Sequence, residues 1–168
     1  MAEYNHMRAS WASEVPCSAT QFVRAAADWV GSMDYLHENP FSFTKVIYAP
    51  GSAKGSVPCS RRMYLDKKNL PPEQAAQLPE YFQETLWKVD EEAHVLFYSV
   101  DGEVLGMRNY FATKEVDPIA SDRCRVTITA RFDLLASIEP QPFVEMVQRT
   151  YRAVILGVGT KMPKVPAV

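Results

Sequence analysis

Hydrophobic and polar residues alternate along much of the chain between residues 42 and 133, as they do in half-buried β-strands. Short runs rich in Gly, Pro, Asp and Glu interrupt the alternation and are typical of turns. The pattern predicts six strands, over residues 42–48, 58–65, 82–90, 94–100, 107–117 and 124–134. A looser alternation over residues 7–15 predicts a further strand near the start of the chain.

Two segments follow a helical period instead. Apolar residues recur at helical spacing from Phe22 to Val30, after Ser18 or Thr20, either of which suits a helix N-cap. Gly31 breaks this helix, and a second short helix or turn follows it. The first predicted strand is therefore followed by two short helices.

The clearest helix lies near the end of the chain, where a proline occupies the first turn and polar residues face away from an apolar stripe. The stripe consists of Phe143, Val144, Val147, Tyr151, Val154, Ile155 and Val158. Gly157 and Gly159 are expected to weaken the end of this helix. Residues 66–80 hold three prolines and no strand pattern, which predicts a long loop with room for one helical turn.

The predicted order of elements is one strand, two short helices, six strands and one long helix. Short connections between the six strands favour antiparallel neighbours. One face of a seven-stranded sheet then needs a cover, and the C-terminal helix is the only large element left to provide it. A strongly curved sheet around one helix leaves space between them, so we expect a cavity of several hundred cubic ångströms, on the order of typical ligand sites.

The composition narrows the possible functions. The length of 168 residues fits one domain, and a net charge of −2 argues against a nucleic-acid binder. No run of 18 apolar residues exists, and the N-terminus lacks the apolar core of a secretory signal, so we expect no stable membrane insertion. Cys17, Cys59 and Cys124 are isolated from one another and from histidines, which favours reduced thiols in a cytoplasmic protein and no metal site.

Several short motifs occur in an order that resembles a known superfamily. They are Arg61-Arg62, Glu84-Thr85-Leu86 with Asp90, Tyr98 followed by Asp101-Gly102, Arg108-Asn109-Tyr110, and the strand end Thr127–Asp133 before the final helix. In this order they resemble the START-like (SRPBCC) superfamily, in particular its polyketide cyclase/dehydrase-like branch. The birch-pollen-allergen fold and the abscisic-acid receptors are more distant members of the same superfamily.

The resemblance implies an α+β helix-grip fold, with a seven-stranded curved antiparallel sheet around the long C-terminal helix. It implies that residues 1–168 form a single START-like ligand-binding domain that holds a hydrophobic small molecule, needs no cofactor, and is a monomer or homodimer. The abscisic-acid receptors close their cavity with a short loop after the third strand. The corresponding residues 66–80 are longer and different here, which argues against a hormone receptor and leaves these residues as a candidate lid.

Two residues are candidates for catalysis, Glu84 and Tyr110. Alternation alone does not decide which way Glu84 points, because both faces of its strand are mixed, but the resemblance places it toward the cavity. There it could give or take a proton, and Tyr110 could polarise a carbonyl. The alternative is a structural Glu84 that forms a salt bridge, with Arg62 or Arg108 as its partner.

Seven residues are candidates for ligand binding: Arg62, Tyr64, Tyr98, Arg108, Phe143, Val147 and Tyr151. Arg62 shares parity with Tyr64, and Arg108 with Tyr110, on the face that the resemblance assigns to the cavity. Either arginine could hold an anionic group of a ligand or pair with an acidic residue of the protein. Arg131 has the opposite parity and is expected outside, and His37 is a further candidate base near the cavity mouth.

Two classes of function remain open. The first is a cofactor-independent enzyme of the cyclase or dehydrase kind, in which Glu84 moves a proton. The second is a non-catalytic carrier or sensor of a lipid or hormone-like molecule. A protein-interaction domain with a vestigial cavity is a third possibility. Fold does not decide between them, because one fold can support many functions.

Overall fold

The computed structural model describes residues 2–36, 39–68 and 70–161. Seven strands form one antiparallel sheet in the order β1-β7-β6-β5-β4-β3-β2. The strands are β1 (Tyr4–Val15), β2 (Phe43–Tyr48), β3 (Cys59–Leu65), β4 (Tyr81–Asp90), β5 (Val95–Val100), β6 (Met107–Ala120) and β7 (Arg123–Leu135). The predicted meander is confirmed, and the first strand joins it by pairing with the last.

Three α-helices and one 3₁₀ turn complete the fold: α1 (Ala19–Ala27), the 3₁₀ turn (Gly31–Tyr35), α2 (Pro72–Gln77) and α3 (Pro140–Lys161). Ser18 caps α1 in a reciprocal capping box with Gln21, as one of the two predicted caps. Helix α1 ends before Trp29, and the predicted second helix is this five-residue 3₁₀ turn. Within the described residues, no helix is both long and apolar enough to cross a membrane.

Helix α3 crosses the concave face of the sheet, and two glycines allow its C-terminal half to approach closely. A Cβ atom at Gly159 would lie 2.5 Å from Cβ of Val15, and one at Gly157 would overlap the backbone carbonyl of Tyr35. The two glycines therefore make room for β1 and for the 3₁₀ turn. Their effect on helix propensity is offset by the packing that they permit.

Two irregularities in the sheet change which residues face the helix. Asn109 has a φ of 53°, and the register between β6 and β7 shifts between Arg108 and Phe111. A second shift, between Leu86 and Lys88, interrupts the pairing of β4 with β5. At each bulge two successive residues face outward, so simple alternation fails on either side of it.

Candidate functional site

A partly open cavity of about 100 Å³ lies between α3 and strands β2 to β6. Its walls are mostly apolar and include Met33, Phe41, Met63, Phe82, Met107 and Met146. The predicted volume of several hundred cubic ångströms is wrong for this space. Side chains of α3 reach the sheet and fill part of it, since the hydroxyl of Tyr151 lies 2.7 Å from that of Tyr110.

A wider depression of about 530 Å³ lies outside the cavity, against the segment that leads from the 3₁₀ turn into β2. Met33, Leu36, Asn39, Phe41 and Phe43 line both spaces. A dry cavity of about 150 Å³ suffices for benzene. The cavity is smaller than this, so a ring-sized ligand would have to extend toward the depression.

A buried ion pair forms one polar part of the cavity wall. Glu84 on β4 lies directly across the ladder from Arg61 on β3. The Arg61 Nε and Nη2 atoms donate to Oε2 of Glu84 at 2.9 and 2.5 Å, and Nη1 donates to the carbonyl oxygen of Trp29. The guanidinium also lies 3.8 Å from the centre of the Trp29 ring. Arg61 is only 4% exposed, so this charge is held by contacts within the protein.

Three tyrosine hydroxyls form a second polar group. The Tyr110 hydroxyl lies 3.3 Å from that of Tyr98 and 2.7 Å from that of Tyr151. Burial raises the pKa of Tyr98, Tyr110 and Tyr151 above the usual range, because water no longer stabilises a phenolate. The three phenols therefore stay protonated near neutral pH and can donate hydrogen bonds.

Lys114 on β6 is buried beside these groups. It is 3% exposed, and its Nζ lies 5.0 Å from the centre of the Tyr98 ring and 5.1 Å from that of Trp29. Burial, helped by the positive charge of Arg61 and opposed by Glu84, lowers the pKa of Lys114 to about 7. This amine can change its charge near neutral pH.

The structure brings five of the nine candidate residues to the cavity wall: Glu84, Tyr110, Phe143, Val147 and Tyr151. Tyr98 is buried on the same side of the sheet, behind Tyr110, and does not line the cavity. Glu84 also forms a salt bridge, which was the alternative prediction for this residue. Its partner is Arg61, and not Arg62 or Arg108 as predicted.

The prediction that Arg62 and Tyr64 face the cavity is wrong. On β3 the buried positions are Cys59, Arg61, Met63 and Leu65, so Arg62 and Tyr64 lie on the outer face. Arg62 donates to Oε1 of Gln83 at 2.9 Å, and the Tyr64 ring packs 5.3 Å from that of Tyr81. Of the two adjacent arginines, the first points inward.

The prediction that Arg108 faces the cavity is also wrong, because the bulge at Asn109 breaks its parity with Tyr110. Arg108 lies over the ring of Tyr4 on the outer face, 3.5 Å from its centre, and its Nε is 3.8 Å from Oδ2 of Asp133. Arg131 is exposed on the same face, as expected.

The proposed lid is not part of the cavity either. None of the described residues within 66–80 lines it, and the cover on that side comes from Met33, Leu36, Asn39, Phe41 and Phe43. Lys67 instead connects two parts of this segment by donating hydrogen bonds to the carbonyl oxygens of Ala75 and Leu78. The candidate base His37 lies outside the described residues.

Sequence reasoning missed Arg61 and Lys114, which the structure buries among the candidate residues. Both carried a signal: Arg61 has the parity of Cys59, Met63 and Leu65, and Lys114 has that of Ala112 and Val116. In the described part of the chain, no three His, Cys, Asp or Glu side chains are grouped as metal ligands would be.

Comparison with known proteins supports the fold. No family model matches the sequence, and no curated protein sequence matches it. Among solved structures, an aromatase/cyclase, ZhuI from a Streptomyces species, is 17% identical with a TM-score of 0.65, and the match covers 92% of each chain. An uncharacterised protein from Bacillus thuringiensis is 16% identical with a TM-score of 0.67, over 91% of this chain and 96% of that one.

Norcoclaurine synthase from Thalictrum flavum, in complex with dopamine and hydroxybenzaldehyde, is 17% identical with a TM-score of 0.60. That match covers 90% of this chain and 88% of the synthase. At such identities a structural likeness establishes the fold alone. The chain therefore shares the helix-grip fold of these structures, the fold that the order of its motifs predicted.

Proposed function

We propose that this protein binds a small, largely apolar molecule in the cavity and acts on it as a cofactor-independent enzyme of the cyclase or dehydrase kind. The observation that supports this is the polar end of an otherwise apolar cavity. There a carboxylate and two linked phenol hydroxyls, those of Glu84, Tyr110 and Tyr151, face the same space. Two of the structural relatives, an aromatase/cyclase and norcoclaurine synthase, are enzymes.

The chemistry that fits these groups is proton removal next to a carbonyl. One oxygen of Glu84 is held by Arg61, so Oε2 is fixed and Oε1 is the atom that could accept a proton from a ligand carbon. The enolate that forms needs hydrogen-bond donors at its oxygen. The tyrosine chain can supply one, because its two internal hydrogen bonds use two of the three phenolic protons and leave the third, for example that of Tyr151, free to donate.

A second candidate is a non-catalytic carrier, and one observation favours it. The charge of Glu84 is already neutralised by a buried arginine, as in a structural ion pair. In a carrier, the polar end of the cavity would orient a ligand oxygen, and no bond of the ligand would change.

The two candidates can be separated with a model ketone, 4-phenylbutan-2-one, whose carbonyl could reach the polar end of the cavity while the rest of the molecule extends toward the depression. Its binding can be followed by NMR, and exchange of the protons beside its carbonyl can be measured in D₂O. An enzyme should accelerate this exchange, and Glu84→Gln should slow the accelerated exchange by roughly 10²–10⁴-fold, as for loss of a general base. The matched control Gln83→Glu places a carboxylate on the outer face and should leave exchange unchanged.

Binding of the ketone without accelerated exchange would reject the enzyme and retain the carrier. Accelerated exchange that persists in Glu84→Gln would reject Glu84 as the base. Absence of any binding by the ketone would count against a ligand cavity of this chemistry, and so against both candidates.

A further inference from the structure

Lys114 has no part in the function proposed above, although it is one of the most deeply buried charged residues of the described chain. Burying an ammonium group is costly unless other groups stabilise it. Here the Nζ is near two aromatic ring faces, and none of the ion pairs of the described residues includes it. Its position therefore calls for an explanation beyond packing.

The charges around Lys114 do not balance when it is protonated. The ionisable groups in this cluster are Arg61 of β3, Glu84 of β4, Tyr98 of β5, Tyr110 and Lys114 of β6, and Tyr151 of α3. The neighbouring strand β7 contributes an apolar residue, Ile128, at the paired position. Because the phenols are neutral, the protonated cluster holds two positive charges and one negative charge.

Side-chain donors also outnumber the charged acceptors of the cluster, although no buried side-chain nitrogen or oxygen of the described residues is left without a hydrogen-bond partner. A chain of three hydroxyls linked by two hydrogen bonds keeps one proton to donate elsewhere. The ammonium of Lys114 brings three further donors. Against these, the cluster offers one carboxylate, whose Oε2 already receives two bonds from Arg61. What would complete the cluster is an additional negatively charged acceptor.

The cavity is the place where such an acceptor could enter. Two neighbours of Lys114, Tyr98 and Trp29, each contact a residue that lines the cavity. Tyr98 is hydrogen-bonded to Tyr110, and Trp29 lies beneath Arg61. Both Tyr110 and Arg61 line the cavity. A charge in the cavity would thus act on Lys114 through a short stretch of low-dielectric protein.

We propose that the cavity takes a small organic oxyanion, a carboxylate or an enolate, with its charged oxygen at the Tyr110–Tyr151 end, and that Lys114 takes up a proton as this anion binds. The inference rests on the proposed function, since both need the cavity to hold a small molecule. Lys114 is a positioning residue in this account, because its charge acts on the ligand without touching it. The lowered pKa of the free amine means that the proton is available to be gained near neutral pH.

The experiment compares pairs of probes that differ in charge and little in shape. Wild-type protein is titrated with 3-phenylpropanoate and with 3-phenylpropanamide, and then with 4-phenylbutanoate and 4-phenylbutanamide; both acids are already ionised at pH 7.5 and release no proton on binding. Calorimetry at pH 7.5 in two buffers of different ionisation enthalpy counts the protons taken up. A shift of the Lys114 pKa from 7 to 8 on binding corresponds to about half a proton at this pH.

The expected result is proton uptake with at least one of the two anions and none with its neutral partner. For this shift, Lys114→Met should weaken binding of that anion by roughly threefold at pH 7.5 and by up to about tenfold well below pH 7, and it should abolish the uptake, while binding of the neutral partner stays unchanged. Lys88→Met, which changes an exposed lysine, should behave as wild type. Direct NMR titration of the Lys114 side chain, free and with 3-phenylpropanoate, tests the same point without any substitution.

Binding of each neutral probe as tight as that of its anion, without proton uptake, would overturn this inference and leave the proposed function standing. Proton uptake that persists in Lys114→Met would assign the proton to another group and would also overturn it. If none of the four probes binds, the proposed function fails, and this inference fails with it.

Discussion

Two adjacent residue pairs of the β3–β4 ladder each join an arginine Nε to a side-chain oxygen, a carboxylate oxygen on the inner face of the sheet and a neutral amide oxygen on the outer face. On the inner face, Nε of Arg61 donates to Oε2 of Glu84 at 2.9 Å. On the outer face, Nε of Arg62 donates to Oε1 of Gln83, also at 2.9 Å. The inner arginine is almost completely buried, whereas the outer one is half-buried and flanked by the Tyr81 ring.

The comparison shows that the geometry of a contact alone does not determine how much the contact contributes to stability. In the buried pair, loss of either partner leaves the other charge without water or a counter-ion. On the outer face, water can replace a lost partner, and the free energy changes little. The same difference separates a site that can bind a ligand by charge from a surface that only ties two strands together.

The largest expected effect is the loss of stability when the buried Arg61–Glu84 ion pair is broken. Arg61→Met leaves the Glu84 carboxylate in a largely apolar cavity, and we expect the free energy of unfolding to fall by about 3–5 kcal/mol. The matched change Arg62→Met on the outer face should have little effect. Urea unfolding of the two variants measures both values. If Arg61→Met and Arg62→Met lowered stability equally, burial would not distinguish the two arginine contacts.

The next largest effect is a gain in stability on replacing Lys114, and this gain depends on pH. The folded-state pKa of Lys114 is about 7, below the ordinary value of 10.5, so between these pH values the unfolded chain holds a proton that the folded chain lacks. The contribution of Lys114 to stability therefore rises with pH across this window and is lowest below pH 7. Lys114→Met removes the cost of burying the amine, and we expect a stability gain of about 1–4 kcal/mol at pH 7.

Unfolding measured from pH 6 to 10 checks this prediction. The stability difference between Lys114→Met and wild type should be largest below pH 7 and should shrink as the pH rises toward 10. Other titrating groups are common to both proteins and cancel in the difference. A difference that stays constant over the whole range would mean that Lys114 does not titrate in this window.

The smallest effect is expected in the tyrosine chain. Tyr151→Phe removes the 2.7 Å hydrogen bond to Tyr110 and should lower stability by about 1 kcal/mol, because one buried hydroxyl loses a partner. Tyr64→Phe on the outer face is the matched control and should be neutral. Thermal unfolding of both variants measures the change. A larger loss in Tyr64→Phe would contradict the ranking of the two faces.

The fold could be predicted from the sequence because most of the strands alternate long enough to be recognised, most connections between them are short, and the motifs occur in a recognisable order. The cavity-facing Glu84 and Tyr110 were correctly placed by the order of motifs. Arg62 was chosen over Arg61 although Cys59 and Met63 share the parity of Arg61, so the information was present and was not used.

Other features could not be predicted by alternation. The bulge at Asn109 depends on a single residue with positive φ, and no turn motif announces it. Because of it, Arg108 points outward while Tyr110 points inward. The cavity volume depends on how far the Tyr151 and Phe143 side chains reach toward the sheet, which is a matter of packing between distant segments.

The most direct test of the account asks where a small ligand binds. Methionine methyl groups are suitable reporters, because Met33, Met63, Met107 and Met146 line the cavity and Met7 on β1 does not. With ¹³C-methyl-labelled protein, addition of 4-phenylbutan-2-one should shift the four cavity methyl signals and leave that of Met7 unchanged. Saturable shifts confined to Met7, or none at any methionine, would contradict the claim that this cavity is the ligand site.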